Sequence, residues 1–535
     1  MFADYIITSN CVFDSCGDKP FPGFVAVAGD KILDVGRNNE DMMVYQGENT
    51  QILRYDDQLV MPGIGESHAH VFYGALELAG ANVAESRSEE EAAQMIFDHE
   101  KDKDNDWVIA FGWNHEYWQK KHLPTKTSLD RLFPHQPVVV INEELHGAWV
   151  NTKALKLCGI NQNTTIPKGM GMIQKDADGQ PTGYLLETHA MKLVLDQAFA
   201  MPQEEKSHLL EAYFKTTASL GITSLSNLQI HEILMEEAFE QMEREGRLKV
   251  RMSLLASVNT PMEKLLAMKE KYQSHMLKFG GVKGFVDGTP MGYTGALIEE
   301  YSDCPGFFGE KYLSVETFRD QARRLEEKGI RMRLHACGDG AVREALDIFE
   351  ECRAAGGKEP LRHTIEHFEV VHPDDMGRAG ALGVVASVQP DHMWAPIFAE
   401  HPFHKILGQR RCQYVYPFKS LAAKGAVLAF GSDHPIAELN PMRGIYRAVT
   451  RLSEDRLPEG GWCPGEKLSL ADSLKAYTIG SAYQMWNEKV TGTLEKGKFA
   501  DIAVLDRNLF ETDPEEILKT TVVMTMLGGK IIHRS

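Results

Sequence analysis

No stretch of this chain approaches the ~18 uninterrupted apolar residues that a membrane-crossing helix requires. Its first residues, Met1-Phe2-Ala3-Asp4-Tyr5-Ile6-Ile7-Thr8, lack a basic segment leading into an apolar one, so neither a membrane protein nor a signal peptide is expected. Positive charge is short as well: 57 Lys plus Arg stand against 76 Asp plus Glu, a net charge of -19 with no basic block to offset it, which argues against a nucleic-acid surface. Cysteine is sparse. The eight present (Cys11, Cys16, Cys158, Cys304, Cys337, Cys352, Cys412 and Cys463) form no CxxC pair and no dense framework. That pattern suits free thiols in a reducing cytoplasm and argues against a thiolate zinc site.

What the chain does have is rhythm. Its 535 residues could hold several domains or one large barrel with appendages, and 43% hydrophobic with 25% charged residues is the balance of an ordinary soluble protein. Residues 1–60 alternate short β-type runs (Tyr5-Ile6-Ile7, Phe24-Val25-Ala26-Val27) with turn residues, and Ala28-Gly29-Asp30-Lys31 reads as a hairpin turn. The same texture returns in residues 486–535, at Ile502-Ala503-Val504-Leu505 and Val522-Val523-Met524, so the two ends are expected to build one small β-sandwich domain. Residues 61–485 read as the main domain. One strand runs up to His68, and from about residue 205 helical and strand signals alternate, with further strands near 221, 250, 281, 330, 363, 384 and 426. Repeated βα units of that number predict an α/β fold, a (β/α)8 TIM barrel, with a doubly wound open sheet as the alternative. Residues from about 75 to 200 break the rhythm with Trp107, Trp113, Trp118 and Trp149 and with turn clusters at Lys168-Gly169-Met170-Gly171 and Asp176-Ala177-Asp178-Gly179. They are expected to form a large insertion after the first barrel strand, on the face where such barrels carry their sites.

Unusual polar residues fall at the strand ends. In an extended chain side chains alternate between faces, so His68 and His70 leave the first strand on one side, about 7 Å apart along it. Lys283 sits in the fourth strand, His335 ends the fifth, His367 the sixth and Asp433 the eighth. A single histidine at a strand end is more often a hydrogen-bonded structural residue than a ligand, and Asp433 could be a helix cap before Pro435. Six such groups on five strands of one barrel would meet at one mouth. Nitrogen and oxygen ligands of this kind suit zinc or another divalent first-row ion, one or two per site. Alternation places Lys283 inward if Val282 and Val286 pack on helices. An unpaired buried ammonium tends to lose its proton, and a neutral amine can take up carbon dioxide as a carbamate able to bridge two metals.

Several motifs extend this pattern. They are Pro62-Gly63-Ile64-Gly65-Glu66-Ser67-His68-Ala69-His70, Val282-Lys283-Gly284-Phe285-Val286-Asp287-Gly288, His335-Ala336-Cys337-Gly338-Asp339, Arg362-His363-Thr364-Ile365-Glu366-His367, Gln389-Pro390-Asp391-His392 and Gly431-Ser432-Asp433-His434-Pro435. With the tail Gly492–Asp501, they resemble the amidohydrolase superfamily of metal-dependent hydrolases, and within it the branch of long members that includes N-substituted formamide deformylase. Glu66 stands where that family has Asp.

The resemblance implies that His68, His70 and Asp433 hold one metal, that His335 and His367 hold the second, and that a carboxylated Lys283 bridges them. A metal-bridging hydroxide would then attack the carbonyl carbon of a small amide or formamide, with Asp433 as general base and then acid towards the leaving amine. Glu66 would orient a ligand histidine. Candidates for contacting substrate are Trp113, Asn114, His146, Asn151, Gln389 and His392; Arg362 is read as a structural ion pair behind the sheet, because His363 and His367 share the other face. Two rival readings remain. Deaminases of the superfamily carry a glutamate three residues after the fifth-strand histidine, where this chain has Gly338, and ligand-less barrels act as binding or regulatory proteins. A homodimer is the default expectation for the assembly.

Overall fold

The computed structural model describes every residue except 104, 168–170, 232, 311–314 and 355–360. Eight parallel strands follow one another in sequence order around one sheet: Ile64–Ala69, Ile222–Leu228, Arg251–Ser257, Leu277–Phe285, Met332–Ala336, Thr364–His367, Val385–Val388 and Val427–Phe430, barrel strands 1 to 8. The alternation that predicted them is visible in their packing. Leu254, Val282, Leu334, Ile365, Ala386 and Leu428 enter one large apolar core together with helix residues such as Val342, Leu346 and Phe349. The ring closes between strands 1 and 8 through backbone bonds at their C-terminal ends. Asp433 N–H donates to the His68 carbonyl at 2.8 Å, and His70 N–H donates to the His434 carbonyl at 2.9 Å. This closure draws two of the expected site residues, His68 and Asp433, to the same seam.

The two ends of the chain share a seven-stranded sheet, in which Ile502–Leu505 pairs with Gln51–Pro62 and joins the C-terminal strands to the N-terminal ones. Its hairpin turn at Gly29 has a positive φ of 57°, a conformation that glycine adopts without a Cβ penalty. Arg251 at the start of barrel strand 3 ties this sheet to the barrel through a buried two-point contact with Asp501, at 2.6 and 2.9 Å.

The stretch expected to interrupt the rhythm carries order of its own. Six short strands form a mixed sheet, in the order Met172–Lys175, Pro181–Leu186, Gly147–Val150, Val138–Asn142, Val108–Trp113 and Ala81–Asn82. Asp176–Gly179 makes the hairpin turn between the first two, with Gly179 N–H donating to the Asp176 carbonyl; of the other expected turn, Lys168, Gly169 and Met170 lie outside the described residues. One face of this sheet packs Phe111, Val139 and Ile141, and the other packs Val138, Val140, Trp113, Trp118 and Trp149. Among the described residues no helix is long and apolar enough to cross a membrane.

Candidate metal centre

The strands deliver their polar side chains to one buried mouth. His68 Nδ1 lies 2.7 Å from Glu366 Oε2, and His70 Nδ1 lies 2.8 Å from the Leu228 carbonyl oxygen. A carboxylate and a carbonyl only accept, so each Nδ1 carries the proton and a neutral ring offers its lone pair at Nε2. Burial pushes the His68 imidazole down to about 4, which keeps that ring neutral. Both Nε2 atoms converge on Asp433 Oδ1, at 3.2 Å from His68 and 3.0 Å from His70. Three lone-pair atoms at such distances repel one another unless a cation lies among them. His68 Nε2 and Asp433 Oδ1 are moreover buried without a hydrogen-bond partner, at a cost that a cation would relieve. Ligand atoms about a tetrahedral ion with bonds of about 2.0–2.1 Å are spaced by roughly 3.3 Å, which this trio fits.

Beside this trio, the His335 and His367 rings lie 4.3 Å apart between centroids, and His367 lies 5.1 Å from His68. Burial holds both His335 and His367 well below the ordinary imidazole range. His335 Nε2 is 3.1 Å from the Gly288 carbonyl oxygen and 3.3 Å from Cys337 Sγ. Lys283 is buried within strand 4, and burial pushes its ammonium down to about 8 against the opposing pull of Glu366 and Asp433. Its Nζ lies 4.9 Å from the centroid of the Phe285 ring, on a side chain that feels the charges of Glu366 and Asp433. His367 and Asp433 both hold the left-handed backbone, with φ of 79° and 63°. Such conformations cost about 1–3 kcal/mol each and persist where the surroundings impose them.

The backbone at His367 corrects the reading of strand 6. Simple alternation puts His363 and His367 on one face, but His363 points outward, with Nε2 2.8 Å from Glu326 and its ring stacked on Phe349. The positive φ at His367 turns that ring inward, so Glu366, not His363, shares the interior with it. Arg362 makes its ion pair with Glu488 at 2.8 Å. Glu66 is corrected too. Its Oε1 accepts the backbone N–H groups of His68 and Ser432, each at 2.9 Å, and so staples strands 1 and 8. The carboxylate that orients a histidine is Glu366, which the sequence motif contained without revealing its role. It is itself held by the buried Arg333 guanidinium at 2.5 Å.

The substrate-side candidates divide. His392 stacks on His367 at 5.7 Å, is held by Glu369 through Nδ1 at 3.3 Å, and turns an unpartnered Nε2 to within 3.8 Å of Asp433 Oδ2. Gln389 is buried beside His68, its Nε2 3.4 Å from His68 Nδ1 and its Oε1 unpartnered. His146 pairs with Glu187 at 3.2 Å and feels the charge of Asp433. The other three serve the insertion's own fold. Trp113 is 1% exposed and donates Nε1–H to the Val140 carbonyl. Asn114 caps a short helical turn and binds Glu143. Asn151 accepts from the N–H groups of Val138 and Ala154 and donates to the carbonyls of Phe133 and Gln136. Asn151→Ala is accordingly expected to lower stability by roughly 2 kcal/mol, from a lost helix cap and unpaired backbone groups, while kcat/KM of the folded protein stays within twofold. Denaturant unfolding alongside steady-state kinetics measures both.

Gly338 bears on the deaminase alternative. A Cβ there would lie 2.1 Å from the Ala296 carbonyl oxygen, so no side chain fits without moving the loop after strand 4.

A closed parallel barrel that gathers histidines, an aspartate and a lysine at the C-terminal ends of its strands has the architecture of the metal-dependent barrel hydrolases. The chain belongs to the amidohydrolase family, whose family model matches residues 56–533. It is 29% identical to Protein LONG AFTER FAR-RED 3 of Arabidopsis thaliana, over 99% of this chain and 92% of that protein. It is 24% identical to N-substituted formamide deformylase of Arthrobacter pascens, over 94% of each chain. Among solved structures, an uncharacterized metal-dependent hydrolase from Pyrococcus horikoshii OT3 superimposes with a TM-score of 0.78 at 24% identity, over 96% of this chain and 99% of that one, a likeness of fold.

Proposed function

We propose that this protein hydrolyses a carbon–nitrogen bond other than a peptide bond, in a small amide or formamide. His68, His70 and Asp433 would hold one divalent ion, zinc being the one expected, and His335 and His367 the second, with a carbamate on Lys283 between them. The observation that carries this reading is the convergence of the two Nε2 lone pairs on the unpartnered Asp433 Oδ1. The end-to-end similarity to a relative named a formamide deformylase supports the substrate class, and the lack of room for a side chain at position 338 favours amide cleavage over deamination.

Bound divalent ions supply an acidified water and polarise the substrate's carbonyl oxygen. The chain's residues do the rest. Asp433 Oδ2 points towards His367 and His392 and is placed to accept the proton of the attacking water, then deliver it to the departing amine nitrogen. His392, aligned by Glu369, presents Nε2 to the same space, where it would hold the substrate oxygen. Glu366 and the Leu228 carbonyl fix the ring orientations of His68 and His70, so neither ring reorganises during turnover. All eight cysteines are unpaired, in keeping with a cytoplasmic setting.

Purified protein stripped with chelator and reloaded with zinc and bicarbonate tests the reading against a panel of N-formyl and N-acyl amines. Turnover is expected only after loading. Zinc at about 1,000 times its Kd should also stabilise the fold by about 4 kcal/mol, seen as a raised thermal midpoint. A protein that takes up no metal under these conditions would be a binding barrel and not a hydrolase.

A further inference from the structure

Cys337 lies beside His335 and His367 and has no place in the ligand set proposed above. It follows barrel strand 5, and its backbone is pinned from two sides: its N–H donates to Asp287 Oδ1 at 3.1 Å, and its carbonyl accepts from Val370 N–H at 2.9 Å. Asp287 also accepts from Gly338 N–H and Ala296 N–H, each at 2.9 Å, so one buried carboxylate fixes the loops after strands 4 and 5 together. The thiol is thereby held, 1% exposed, with Sγ 3.3 Å from His335 Nε2; that nitrogen also faces the Gly288 carbonyl at 3.1 Å and so carries the ring proton in the metal-free protein, a bond that gives way if the ring holds an ion there. The ligand atoms of His335, Cys337 and His367 all lie within 4.8 Å of one another. A lone cysteine would mean little, but His367 Nδ1 is a buried nitrogen with no hydrogen-bond partner, on a ring packed against that of His335.

Charge sharpens the point. The ion at His68 and His70 has an anion of its own, Asp433, whereas His335 and His367 are neutral and share only the carbamate proposed on Lys283. Two divalent ions bring four positive charges, and Asp433 with a shared carbamate on Lys283 returns only two, so the buried mouth stays positive, and burying uncompensated charge is costly. A thiolate corrects this, and sulfur with two imidazoles is a donor set that zinc and cobalt accept readily. The thiol proton leaves to solvent when the metal–sulfur bond forms.

We propose that Cys337 supplies the anionic sulfur ligand of the second ion, with His335 and His367, which makes the centre asymmetric: an all-nitrogen-and-oxygen ion at His68, His70 and Asp433 next to a softer, sulfur-ligated one. This rests on the reading of the mouth as a two-ion site. Cobalt(II) loading of the stripped full-length protein tests it. The expected result is visible ligand-field bands together with a near-ultraviolet sulfur-to-cobalt charge-transfer band. In Cys337→Ser that band is lost while the visible bands of the first ion persist. X-ray absorption of the zinc-loaded wild type, which needs no variant, should show a sulfur shell at about 2.3 Å. Cobalt uptake with no charge-transfer band, or a band unchanged in Cys337→Ser, overturns the sulfur ligand and leaves the hydrolase reading standing on the carbamate alone. Failure to bind cobalt at all overturns both.

Discussion

Asp433→Asn is expected to lower kcat by about 10²–10⁴, the range for loss of a positioned general acid–base, with little change in the fold. Asparagine is the informative replacement because Asp433 has φ of 63°, and asparagine tolerates the left-handed region nearly as well as aspartate, whereas alanine does not. The seam between strands 1 and 8 survives, since the bond from position 433 to the His68 carbonyl is made by the backbone. What changes is the side chain. An amide cannot take a proton from water at neutral pH, and it is a poorer ligand opposite His68 and His70. Metal analysis beside the kinetics separates the two losses: a variant that keeps its metal and still loses turnover has lost the proton carrier, while one that regains turnover at high zinc has lost only affinity. Full activity in a metal-replete Asp433→Asn protein would remove Asp433 from the chemistry.

The parts of the molecule legible in the sequence are those whose signal is local. The barrel strands are short β-type runs that alternate with helical segments, and runs such as Ile222–Leu228 and Met332–Ala336 fall where that alternation put them. The terminal sheet shows through the same β texture at both ends. The insertion's sheet was not legible, because strands of four to six residues such as Gly147–Val150 and Pro181–Leu186 owe their conformation to pairing with distant partners. Trp113 and Asn151 stood out as candidates through chemical type, yet tertiary bonds to Val140 and Phe133 consume their polar atoms. At strand 6 a two-residue periodicity holds only while φ stays extended, and it fails at His367. Glu366 could have been found by following that periodicity from the opposite starting face. Cys337 escaped because a search for cysteine pairs is blind to one thiol that meets two histidines through folding.

Glu366 is where the remaining large effect is expected. Its two oxygens are divided between the buried Arg333 guanidinium, at 2.5 Å, and His68 Nδ1, at 2.7 Å, and Arg333 also donates to the Ser67 carbonyl. In Glu366→Gln the single carbonyl oxygen can serve one of these donors, and the amide NH2 faces the other. Arg333 is fully buried, so its charge is left uncompensated at a cost of about 3–5 kcal/mol, read by denaturant unfolding of the metal-free protein. The His68 ring loses the acceptor that fixes its tautomer, and zinc affinity should fall by about 10- to 100-fold in a competition titration. Glu66→Gln is the matched comparison. Burial pushes the Glu66 carboxyl up to about 8, and its partners are backbone N–H groups, so an amide there keeps one acceptor and changes little charge. Stability should drop by about 1 kcal/mol, with zinc affinity unchanged within threefold. If both variants bound zinc equally well, His68 would not depend on Glu366 for its orientation, and the charge chain from Arg333 through Glu366 to His68 would be structural only.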